Sequence, residues 1–185
     1  MRLRIVILAL LFFSAMPLLA QLGSREPLDE TEINKLREVA QEPDKRLKLL
    51  VEFASARLAA IDHLRGEARL VAGRGTQVHD LLEDFTKLVD EIGDNIDDYA
   101  DRKYDLRKAL KTVIEGDTEF QLKLRTLKEQ GAGAGAKAGT ETGDYSFVLQ
   151  NATEAVYMSL DDSRKLLAEQ EVAFKEKQEK AKKKK

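Results

Sequence analysis

The chain contains no cysteine and no tryptophan, and only two histidines and three prolines. Without cysteine there is no disulfide, no thiolate nucleophile, no Cys-x-x-Cys-His haem attachment and no lipid anchor of the bacterial lipoprotein kind. Nor is there a Gly-x-Ser-x-Gly elbow or a serine with an evident histidine and acid to activate it. The reading is therefore of a protein without catalytic machinery or cofactor. Strand-like alternation is also missing. The sequence is rich in Leu, Ala, Glu, Lys, Arg and Asp and poor in β-branched runs, which favours helix throughout.

What is present begins with Met1-Arg2-Leu3-Arg4, followed by an apolar stretch from Ile5 to Ala20 interrupted only by Ser14 and Pro17. A basic start, an apolar middle and a small residue before the polar Gln21 form the pattern of a secretory signal. The stretch falls short of the ~20 residues of a membrane-spanning helix. Cleavage after Ala20 and a periplasmic or secreted protein are the expectation, with retention as an anchor the alternative. Removing residues 1–20 discards two arginines and no acids, so the formal charge moves from −2 to −4. About 165 residues remain, enough for one domain with a core that needs no disulfides.

Residues 21–28 read as a disordered lead. Asp29 and Glu32 then have capping-box spacing and open a short helix over about 29–42, with Ile33, Leu36 and Ala40 on one side. Pro43 ends it and starts a second helix, about 44–72, whose stripe is Leu47, Val51, Ala54, Leu58, Ile61 and Ala68. Gly73-Arg74-Gly75 with Thr76 as N-cap predicts a tight reversal and an antiparallel hairpin. A third helix over about 76–115 carries the strongest period: Val78, Leu82, Phe85, Val89, Ile92, Ile96, Tyr99, Leu106, Leu110 and Val113. A break at Gly116-Asp117 is favoured over one near Asp101 to Lys103, which has neither Gly nor Pro. A short helix over about 118–130 follows. Residues 131–143, GAGAGAKAGTETG, have linker composition. Asp144 caps a last helix to about 178 with Leu149, Ala152, Val156, Leu160, Ser163, Leu167, Gln170 and Phe174 on one face, and residues 179–185 read as a disordered lysine tail. The fold predicted is an all-α antiparallel bundle of three long amphipathic helices and two short ones, packed in coiled-coil fashion, spanning 29–130 and 144–178.

Between Asp90 and Asp101 lie six acids and no base: Asp90, Glu91, Asp94, Asp97, Asp98 and Asp101. Asp90, Asp94, Asp97 and Asp101 share one helical face and could hold a divalent cation, with His79 as a further ligand, although helix-borne acids lack the loop carbonyls of a calcium site. The competing account is pairing between helices. A reversal at Arg74 would bring Asp97 to Asp101 level with Lys45, Arg46 and Lys48, and Asp90 with Glu91 level with Arg57. His63 and His79 each precede a glutamate by four residues, but the Glu of a ferritin-like site is Ala60 in one case and Thr76 in the other.

Arg102, Lys103, Arg107, Lys108 and Lys111 follow the acidic run, so this part of the chain is polar along its length. Asp97, Asp98, Asp101, Arg102 and Arg107 are candidate interaction residues for a homodimer, against local pairing of Asp98 with Arg102. The end from Lys175 to Lys185 holds seven lysines and two glutamates and leaves residues 21–174 at −9. Lys182, Lys183, Lys184 and Lys185 could touch an anionic membrane surface, or could simply be a solvated helix end. With no aromatic residues among the lysines, nucleic acid is not an expected partner. The function expected is binding to an unknown protein or to the cell envelope. The alternative is a periplasmic bundle that binds divalent metal.

Overall fold

In the computed structural model, residues 26–66, 73–133 and 145–183 are described, and all their regular structure is helical. The helices are α1 (Glu30–Glu38), α2 (Pro43–Gly66), α3 (Arg74–Asp101), α4 (Arg107–Gly133) and α5 (Ser146–Lys183). The expected signal segment, residues 21–25 of the lead, the expected end of the second helix at 67–72 with Ala68, Asp144, most of the Gly/Ala-rich linker and Lys184-Lys185 lie outside the described residues.

The four long helices form a bundle in which α2 packs on α3, α3 on α5, α5 on α4 and α4 on α2. Consecutive helices α3 and α4 therefore occupy opposite corners. Phe85 of α3 meets Phe120 of α4 edge to face across the centre, with ring centroids 5.2 Å apart. Contacts between α2 and α4 advance together along both chains: Asp44 with Lys108, Val51 with Gly116 and Arg65 with Gln130, so these two helices run parallel. The α2–α3 and α4–α5 hairpins are antiparallel, which leaves α3 and α5 parallel as well.

The predicted stripe of α3 is buried from Val78 to Tyr99, together with Leu88. A helix that packs on two neighbours needs a broad apolar face, and α3 has one. In α2 the core is completed by Leu50 and Phe53, while Val51 is half-buried against α4.

The capping box at Asp29 is present: Glu32 N donates to Asp29 Oδ1 at 2.8 Å, and Asp29 N donates to Glu32 Oε2 at 3.0 Å. Arg57 of α2 grips the same Glu32 through both guanidinium nitrogens and also donates to the Pro27 carbonyl at 2.6 Å. Residues 26–28, expected to be disordered lead, are thereby held against α2.

The break in the long central segment is not at Gly116. It falls at residues 102–106, and α4 runs unbroken through Gly116 to Gly133, past the expected linker start. The stop is a Schellman motif with Lys103 in the left-handed position, φ 65. Tyr104 N donates to the Tyr99 carbonyl and Lys103 N to the Ala100 carbonyl, while the Tyr99 and Tyr104 rings make the accompanying apolar contact at 5.5 Å. Gln170 of α5 clamps the turn: its Oε1 accepts from Leu106 N at 2.8 Å and its Nε2 donates to the Tyr104 carbonyl at 3.2 Å. A lysine there is strained by ~1–2 kcal/mol, which these bonds offset. Gly116 serves packing instead. A Cβ at this position would lie 2.6 Å from a Val51 methyl, so the glycine lets α2 and α4 approach.

Three further boundaries differ from expectation, the first being the end of α1 at Glu38 rather than at about 42. Gly73, not Thr76, is the N-cap of α3, with φ 78, and Arg74 and Gly75 are already helical. At the other end α5 continues to Lys183, because Lys, Glu, Gln and Ala all favour helix and basic residues in the last turn suit the helix dipole.

Candidate functional site

The α3 acids do not meet the bases of α2 in the expected register. Arg46 donates to Asn95 at 2.6 Å and to Glu91 at 3.2 Å, about two helical turns before the positions expected. Gly73 is already the N-cap of α3 and Arg74 its first residue, so Arg74 is not the pivot of the hairpin. Arg57 is taken by Glu32, Lys45 pairs with Glu42 and Lys48 with Glu52. Asp98 pairs locally with Arg102 at 2.8 Å, the i, i+4 alternative.

Asp90, Asp94 and Asp97 instead line a groove of about 540 Å³ between the parallel helices α3 and α5. The opposite wall contributes Asp162 and Glu169, and Lys165 is the single basic residue of the lining. Ala155, Met158, Ser159 and Leu166 form its floor and rim, and Gly93 leaves space that a side chain would fill. Burial and the neighbouring Asp94 push the Asp90 carboxyl above its ordinary pKa. Lys165 is already shared with Asp161 at 2.5 Å and Asp162 at 3.6 Å, so the groove is strongly negative. Asp101, the last residue of α3, stands outside the lining.

Among the described residues, no three His, Asp or Glu side chains come together to hold a metal. His79 is 3.6 Å from Asp80 and ~16 Å along α3 from Asp90. It does not join the acids.

Arg107 is engaged by its own chain. It donates to Asp105 at 2.9 and 2.7 Å and stacks on Phe174 at 3.5 Å. Those hydrogen bonds hold the Asp105 carboxyl down at about 2. Lys182 and Lys183 are exposed on the last turn of α5. No described helix is long and apolar enough to cross a membrane.

Behind the groove lies a buried acid. Asp117 of α4 is fully enclosed, its Oδ2 accepts from Ser159 Oγ at 2.8 Å, and its Oδ1 has no partner. Burial raises its pKa to about 6, against a smaller opposing effect of the Ser159 hydrogen bond. Ser159 therefore touches both the groove and the buried carboxyl. The period of the sequence places Asp117 in the core, but nothing in it marks Ser159 as its partner. The α5 wall of the groove was equally invisible, because pairing α3 with α5 depends on which helices share an edge of the bundle. No family model, curated protein or solved structure matches this chain.

Proposed function

We propose that this is an exported, non-enzymatic helical bundle that works by binding a protein or the cell envelope, and that the groove between α3 and α5 is its binding surface. The observation that carries this reading is the groove's composition. Five carboxylates from two helices face one lysine beside half-exposed apolar side chains, an arrangement suited to a cationic, partly apolar segment. The acids Asp90, Asp94 and Asp97 form no ion pair among the described residues, so their charge is available to a partner. Export is supported by the basic-apolar-small pattern of residues 1–20.

The test is crosslinking in the native compartment with identification of the captured partner, run beside a variant carrying Asp94→Lys and Asp97→Lys. The expected result is a discrete partner that the variant no longer captures. A protein that captures nothing, not even another copy of itself, refutes the reading. Terminal sequencing of the purified protein tests export, with Gln21 the expected first residue.

A further inference from the structure

One helix forms a wall of the acidic groove and also carries the most basic segment of the chain. α5 is unbroken from Ser146 to Lys183, and every residue from Val172 to Lys183 is exposed. Its last turns project beyond the point where Phe174 meets Arg107 at the start of α4. This arm belongs to the same unbroken helix as the groove wall, so it cannot fold back to fill its own groove.

Val172 is 57% exposed and lies on the face of α5 that also bears Asp162, Lys165 and Glu169 of the groove wall. From this face we infer that a second copy of the chain occupies the groove, with the arms Val172–Lys183 of the two copies lying antiparallel across each other's α5 wall. The inference rests on reading the groove as a binding surface. A two-fold arrangement fits because each copy then supplies both one groove and one arm.

Charge supports this direction. With the helices crossing at Val172, Asp161 falls level with Lys183 of the second copy, Asp162 with Lys182, Lys165 with Glu179 and Glu169 with Lys175. Arg164 with Lys180 is the one like-charged pair. Asp90, Asp94 and Asp97 on the α3 wall add negative charge along the path of the same lysines. A parallel arrangement would set acids against acids and lysines against lysines.

The experiment is a solution mass measurement on protein purified after expression of the full chain, at low and high salt. Two charge reversals accompany it: a groove variant with Asp161→Lys and Asp162→Lys, and an arm variant with Lys182→Glu and Lys183→Glu. The native protein is expected at twice the monomer mass at low salt, and weakened by high salt. Each variant alone is expected to dimerise on the order of a hundredfold more weakly. An equimolar mixture should regain the dimer, because each variant then offers the other a complementary arm and groove. Two variants that had merely lost their fold would not rescue one another.

A native protein that is monomeric throughout the accessible concentration range overturns the inference, as does a dimer that neither reversal weakens. Crosslinking separates the two readings. A monomer that still captures a different protein, and loses it on groove reversal, removes the second copy while leaving the groove a binding surface.

Discussion

Asp117 allows a quantitative test of the packing between α4 and α5. Its carboxyl is fully enclosed, one oxygen has no partner, and burial raises its pKa from 3.8 to about 6. A raised folded-state value means that the folded protein binds the proton more tightly than the unfolded chain does. The resulting stability is fully present below the unfolded value of 3.8 and is lost as pH rises through about 6. A shift of this size corresponds to roughly 3 kcal/mol, all of it lost above pH ~7. Asp117→Asn keeps an acceptor for Ser159 and removes the titration. Urea unfolding followed by circular dichroism from pH 4 to 8 should show the native protein losing ~3 kcal/mol relative to this variant over that range. At pH 8 the variant should be the more stable by ~1–3 kcal/mol, the lower figure allowing for an amide N–H without an acceptor. A variant less stable than the native protein at pH 8, with an unchanged pH profile, would refute the assignment of a buried, strained carboxylate.

Gly116→Ala should destabilise the bundle by ~1–3 kcal/mol through the clash with Val51, and adding Val51→Ala should recover much of the loss in the same urea assay. Lys103→Gly should raise stability by about 1 kcal/mol or less, since relief of the left-handed strain outweighs the greater freedom of the unfolded chain. Arg57→Ala leaves Glu32, only 8% exposed, without its cation and should cost ~3 kcal/mol. Hydrogen exchange should then show Glu30–Glu38 exchanging faster while the four-helix core stays protected.

Much of the fold was legible because it is written in local chemistry. The capping box at Asp29, the proline start of α2 and the seam from Val78 to Tyr99 each depend on residues a turn or two apart. The misplaced break shows where local reasoning fails. Gly116 resembles a stop, yet it is a contact point with Val51 more than sixty positions away, and Lys103 stops a helix because Tyr99, Tyr104 and Gln170 hold it there. Side chains from α2 and α5, both distant in the chain, distinguish those two cases.

The acidic run from Asp90 to Asp101 follows the same division. The sequence by itself determined its charge, its helical face and the apolar seam beside it, because these follow from composition and a period of 3.6. Which neighbour the face would meet depended on the register of α2 against α3 and on the placing of α3 and α4 at opposite corners. That arrangement brought α5 alongside α3, set Asp162 and Glu169 across from Asp90, Asp94 and Asp97, and enclosed Asp117 behind them. Helix packing is a relation between segments distant in the chain, and the bundle's topology selects among several apolar seams that each helix could equally well cover.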